Sequence, residues 1–299
     1  MTTRIGDLGH GNLLTGYLQR TQARVRDAQL DIASGVRAQR WEEIADRAAL
    51  LVASREQRQL TDRFAAETEK VQGRLSAADA ALAGIGELAE RFRTLLVARL
   101  GEPGPSTIPL DAEVEQMADQ LAGLLNRRVD GRYVFAGSRI ETAPVELPDP
   151  LPTTVDPTLY YRGDALAPTV RAEPGVEIAY ATTAAAEPFA QLFAALGQAR
   201  EAHLAGDRAG LEQALGLATR ALEGVAEERS RLGVAGARLE SILDGHRGAL
   251  LYLDEMIGSI ADTDLAEAAA RLARDQATLE ASYLVVARLA QLSLADYLR

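Results

Sequence analysis

Apolar residues recur along this chain in steps that alternate between four and three. Near the N-terminus the series is Leu14, Leu18, Thr21, Val25, Ala28 and Ile32. A second series reads Val71, Leu75, Ala78, Leu82, Ile85, Ala89, Phe92 and Leu96. A third keeps the alternation over fifteen positions between 211 and 260, and only Arg229, Gly236 and His246 among them are not apolar. Spacing of this kind gathers one stripe on a helix and lets it pack along a partner at a shallow crossing angle. The pattern predicts long paired helices, because a single one would leave a continuous apolar stripe in water.

The breaks are placed by turn and capping residues. Residues 1–12, with Gly6, Gly9 and Gly11, read as a loose lead-in. Ser34-Gly35 stops the first helix, and 35–45 is expected to be a loop carrying Trp41. A second helix is expected over 42–100, ended by Gly101, Pro103, Gly104 and Pro105. A third covers 110–130, with Val114, Met117, Leu121 and Leu124 on its inner face, and Asp130-Gly131 ends it before a strand at 132–136. Eight of the eleven prolines then fall between 140 and 188, a density that no helix of more than a turn or two survives. Short strands are expected at 158–162, 168–172 and 176–181, with turns at Gly163-Asp164 and Pro174-Gly175. Helical pattern resumes over 189–205, and Asp207 is placed to cap the next helix. Asp262, Thr263 and Asp264 precede the last helix, with Glu267 spaced to close a capping box on Asp264.

Both ends are therefore helical around a β-rich middle. The predicted fold is mainly α, a discontinuous long-helix rod or bundle formed by the N- and C-terminal segments, with a small β-rich inserted domain. The helical core would be 1–130 with 189–299. Within it, 1–45 and 258–299 are expected to be terminal polymerisation helices, and 46–130 with 189–257 the rod helices. The insert would be 131–188 and face outward. From 276 to 298 the last helix carries only Glu280, Arg288 and Asp296 as charges, and Leu279, Tyr283, Leu284, Val285, Val286, Leu289, Leu292, Leu294, Tyr297 and Leu298 surround most of it. A chain terminus that is apolar on most sides points to assembly. With Leu14, Leu18, Val25 and Ile32 of the first helix, Leu279, Tyr283, Val286, Leu289, Leu292, Leu294, Tyr297 and Leu298 form the expected assembly interface.

Charge and composition narrow the function further. The net charge is −11, so the chain offers no basic track for a phosphate backbone and is not expected to bind nucleic acid. Cysteine is absent, which removes disulfides and thiolate metal sites. Neither a membrane span nor an N-terminal secretory signal is evident, so export would need a route without a cleavable signal peptide. A membrane-surface helix is disfavoured at the C-terminus because the basic polar face such helices use is lacking. His10, His203 and His246 belong to no HExxH-type pair, and His246 falls on a core seam, so it is expected to be packed or hydrogen-bonded. No catalytic, cofactor or metal site is expected, and the chain does not read as an enzyme. Arg162-Gly163-Asp164 matches an adhesion tripeptide but reads as a turn.

Several segments resemble the flagellin superfamily. Residues 258–282, GSIADTDLAEAAARLARDQATLEAS, are similar to the start of its C-terminal domain, with Asp262, Asp264, Ala266, Glu267 and Gln276 at the family's positions. Residues 126–138, NRRVDGRYVFAGS, and 161–164, YRGD, look like two further family segments. The ending at 291–298, QLSLADYL, is similar to that of the hook-associated members that join hook to filament, rather than to that of flagellins. One departure stands at 35–44, where Gly35 and Arg37 are kept but the family's prolines and aspartate pair are lost.

The resemblance implies a structural subunit of the bacterial flagellum, a hook–filament junction adaptor assembling through its terminal helices. It implies as partners copies of the chain in a ring, a neighbouring hook-associated protein, flagellin, and an export chaperone that covers the C-terminal helix. It also implies type III export and an extracellular location on the flagellum. Two alternatives stay open. One is a short flagellin forming the filament itself, and the other is a coiled-coil scaffold or signalling protein.

Overall fold

The computed structural model describes residues 3–36, 46–101 and 109–297, with side chains over 13–36, 46–101 and 109–288. The elements in chain order are α1 (Thr3–Ser34), α2 (Ala48–Gly101), α3 (Leu110–Leu125), β1 (Arg128–Val129), β2 (Arg132–Tyr133), β3 (Thr169–Glu173), β4 (Val176–Ala179), α4 (Glu187–Ala205), α5 (Arg208–Ala261) and α6 (Leu265–Tyr297). The fold is thus mainly α, with two separate two-stranded antiparallel sheets, β1–β2 and β3–β4. Two compact units form. One is Thr61–Gly248, and the other joins Met1–Leu60 to Ala249–Arg299.

In the larger unit, α2 and α5 pack antiparallel along their predicted seams. Val71, Ala78, Leu82, Ile85, Ala89, Phe92 and Leu96 of α2 are buried, as are Leu211, Ala218, Val225, Leu232, Leu239 and Leu243 of α5. Arg229, the one charged seam position, turns outward, and its Nε donates to Asp79 at 2.7 Å. That hydrogen bond holds the Asp79 carboxyl below its ordinary range. α3 packs against α4 and α4 adds an almost wholly apolar body, with Phe189, Leu192, Phe193 and Leu196 fully buried.

The middle of the chain joins this core rather than standing apart from it. Phe135, Val145, Tyr160 and Ala184 belong to one cluster with Phe92, Leu125, Phe189 and Phe193. The Tyr160 ring lies 4.5 Å from that of Phe193, and its hydroxyl donates to the Ala184 carbonyl at 2.9 Å. Burial pushes the ionisation of that hydroxyl far up. The compact units consequently divide after Leu60 and after Gly248, whereas the sequence placed boundaries around 131–188. Aromatic side chains spaced through the proline-rich stretch tie it to the helices.

Four local expectations change. α1 starts at Thr3, so 3–12 is helical backbone and not a loose lead-in. α3 stops at Leu125, because the Asn126 side chain exchanges two 2.9 Å hydrogen bonds with the backbone of Val145. Asp130-Gly131 is the tip of the β1–β2 hairpin, with φ of 51° and 77°. Two adjacent positive φ values suit the twist of a tight hairpin, and the strand expected at 132–136 shrinks to β2. The strand expected at 158–162 is a 3₁₀ turn, Pro157–Leu159, followed by a single bridge between Val145 and Tyr161. The β3–β4 hairpin follows expectation, with Gly175 at φ 80° in its turn. The loop expected over 35–45, including Trp41, lies outside the described residues beyond Val36, as do the start of the second helix at 42–45 and the stop residues Pro103, Gly104 and Pro105.

The two middle segments quoted above, 126–138 and 161–164, meet in space. Asp164 accepts from the Ser138 backbone N–H at 2.9 Å and from its hydroxyl, and from the Leu166 N–H at 3.1 Å. These donors hold its carboxyl below the usual carboxylate range. Arg162-Gly163-Asp164 is therefore an internal turn. A Cβ on Gly163 would stand 2.2 Å from the Tyr161 hydroxyl oxygen and 2.5 Å from the Ala136 carbonyl oxygen. Gly163→Ala is expected to cost about 1–3 kcal/mol, the usual range for overpacking, read as a lowered melting temperature. An unchanged melting temperature would mean that the two segments part without loss.

Candidate assembly interface

The smaller unit is built from α1, α6 and the adjoining parts of α2 and α5. α1 runs antiparallel to α6. Near the middle of both helices Gln22 hydrogen-bonds the Tyr283 hydroxyl. Further along, Arg24 lies 3.4 Å from Asp275. At one end the Thr263 N–H donates to the Gly35 carbonyl at 2.9 Å, and Val36 bridges to Asp262. Gly35 ends α1 at φ 70°, a left-handed conformation that glycine adopts without a Cβ clash. Asp264 caps α6, accepting from Ala266 N–H at 2.9 Å and Glu267 N–H at 3.1 Å. The expected reciprocal half of the capping box is absent, because Glu267 pairs with Arg271 one turn on.

The expected interface residues divide by position. Leu14, Leu18, Val25 and Ile32 of α1 and Leu279 and Val286 of α6 are half-buried. Tyr283 is 47% exposed while its hydroxyl meets Gln22. Leu289, Leu292, Leu294 and Tyr297 lie on helical backbone of α6, and Leu298 lies outside the described residues. The half-buried set marks where α1 and α6 cover one another. The outward side also carries Leu284 and Val285, 64% and 48% exposed, and two apolar residues that lie beside the α1 seam, Leu13 and Tyr17, 74% and 52% exposed. Their signal was runs such as Leu13-Leu14, in which apolar residues fall beside the seam as well as on it.

The contrast between the units has a physical cause. Two layers of helix cannot bury both faces of an apolar helix. Among the described residues, twelve of the eighteen exposed large hydrophobic side chains belong to the smaller unit. Its own interior is slight, a cluster of Leu51, Ile260 and Ala261 with Met256 and Ile257 against it. Exposed apolar side chains thus concentrate on the smaller unit.

Little reactive chemistry accompanies it. Among the described residues, no group of three or more His, Asp or Glu could hold a metal ion. His246 lies in the larger unit, buried, with Nε2 2.8 Å from the Ala172 carbonyl oxygen and its ring stacked on Phe64. Among the described residues, no helix is long and apolar enough to cross a membrane.

Comparison with known proteins agrees with this geometry. Residues 12–139 match the bacterial flagellin N-terminal helical region, and 215–298 match the bacterial flagellin C-terminal helical region. No curated protein matches the chain. Among solved structures, FlgL from Bacillus cereus is similar at 19% identity and a TM-score of 0.51, over 62% of this chain and 98% of that one. A protein assigned as a flagellar hook-associated protein from Vibrio parahaemolyticus is similar at 13% identity and a TM-score of 0.52, over 74% of this chain and 100% of that one. At such identities the likeness is one of fold. The two matched regions contain α1 from residue 12, α2, α3, most of α5 and α6 up to Tyr297, including the whole antiparallel pairing described above. The chain, a structural protein of paired terminal helices, belongs to the flagellin superfamily.

Proposed function

We propose that the chain is the adaptor at the hook–filament junction of the bacterial flagellum, assembling through α1 and α6 into a ring of its own copies. The observation that carries this reading is the exposed apolar surface of the smaller unit, which needs neighbours to cover it. The ending QLSLADYL at 291–298 favours the junction role over that of a filament subunit. The ring would contact a neighbouring hook-associated protein on one side and flagellin on the other. Before assembly, a chaperone would cover α6, since Leu284 and Val285 left bare invite premature association. The subunit would leave the cell through the flagellar type III route without cleavage of its N-terminus. The chemistry of the surface gives it a structural and not a catalytic task.

Antibody-gold labelling of isolated flagella tests the placement. One cluster of gold between hook and filament is expected. Gold spread along the filament would make the chain a short flagellin instead.

A further inference from the structure

We propose that the larger unit contains a built-in hinge, where α2 over 61–75 faces α5 over 233–248. Three independent observations meet there. The first is the seam of α2. Its positions at intervals of seven read Thr61, Thr68, Leu75, Leu82, Ala89 and Leu96, so one row of the seam turns polar in this stretch while Phe64 and Val71 of the other stay apolar. Thr61 and Thr68 are buried, Thr68 completely, and among the described residues the Thr68 hydroxyl has no hydrogen-bond partner. A buried hydroxyl left unsatisfied costs free energy that an apolar side chain would not. On α5, His246 is also buried, its ring stacked on that of Phe64 one turn before Thr68.

The second observation is the distribution of glycine. Gly73 on α2 and Gly233, Gly245 and Gly248 on α5 lie inside helices, and a Cβ on any of them would meet nothing within 4 Å. Close packing therefore does not demand these glycines. Each weakens its helix relative to alanine and lowers the cost of bending it. Gly236 differs, since its absent side chain makes room for Leu75.

The third is the depth of the surroundings. The main core of the unit begins at Ala78 on α2 and ends at Leu232 on α5, where α3 and α4 cover the pair. Below that level a small separate cluster remains, in which the β3–β4 hairpin lays Val170, Ala172 and Ile178 on Val71 and Leu239. The helix pair thus passes from a deep core to a thin one where threonines enter its seam and α5 becomes glycine-rich. Segments with few apolar contacts open first. The hinge lets this end of the pair bend while the deep core holds its shape, a freedom useful to a subunit that must fit among unlike neighbours. It is a property of the isolated chain and stands whether or not the junction reading holds.

Hydrogen exchange of the full chain, followed by mass spectrometry, tests it. Amides of 61–75 and 236–248 are expected to exchange at least tenfold faster than those of 82–96 and 211–225. Gly245→Ala with Gly248→Ala should slow exchange in the segment by about fivefold per glycine, leaving the deep core unchanged. Thr68→Val serves as an independent variant and should slow the same segment. Equal protection of the two regions overturns the proposal. So does unchanged exchange in both variants.

Discussion

Removal of residues 279–299 is expected to abolish incorporation into the flagellum while the larger unit stays folded. The truncation takes away Leu279, Tyr283, Leu284, Val285 and Val286, and with them the hydrogen bond between Gln22 of α1 and Tyr283. It leaves untouched the buried cluster of Leu82, Phe92, Leu121, Tyr160, Phe193 and Val225, because every one of those residues lies within Thr61–Gly248. The two effects are separable in one preparation. Fractionated flagella, probed for the chain, should contain none of the truncated form. The purified truncated chain should keep the near-ultraviolet signal and main thermal transition of the full one. Incorporation at the full-length level would show that α6 does not drive assembly. Loss of the main transition would show that α6 stabilises the whole chain, so that a failure to assemble would say nothing about an interface.

The second large effect lies in the α2–α5 seam. Leu232→Asp combined with Leu239→Asp is expected to unfold the larger unit. Leu232 is 5% exposed within the main core, and Leu239 is fully buried beneath the β3–β4 hairpin. A carboxylate in either place must be desolvated without a cation or must take up a proton, at a cost of about 3 kcal/mol or more each. Two such costs approach the ~5–15 kcal/mol that holds an ordinary domain together. The double variant should show no cooperative transition, or one lowered by more than about 10 °C. Val234→Asp is the control. Val234 lies between them in sequence but is 70% exposed, so its change should stay within about 0.5 kcal/mol. Equal effects at 232 and 234 would mean that the seam is not the buried face.

These two cases also mark what the sequence made legible. The α5 seam could be read because one period governs it throughout, and among its fifteen positions only Arg229 is exposed, with Asp79 as its partner. Hairpin β3–β4 could be read because Pro174-Gly175 sits between two short β-branched runs. The start of α1 could not. Gly6, Gly9 and Gly11 argue locally against helix at about 1 kcal/mol each, yet the backbone is helical from Thr3. The end of α3 was misplaced too. Nothing near Asn126 announces that Val145, nineteen residues on, will claim its side chain. The 3₁₀ turn at Pro157–Leu159 was likewise hidden, because Asp156 takes the Thr158 N–H into a local turn that strand propensity does not register.

The helical period accounts for part of the burial on α1 and α6. The half-buried Leu14, Leu18, Val25, Ile32, Leu279 and Val286 follow from it alone. The exposed Leu13 and Tyr17 do not, because period reports which residues share a face and not which face finds a partner within the chain. That distinction required the antiparallel pairing of α1 with α6.

Deletion of the gene, with electron microscopy of the cells and their culture medium, tests the junction role most directly. Hooks that persist without filaments, with unpolymerised flagellin in the medium, are the expected result. Filaments of normal length on cells lacking the chain would contradict it.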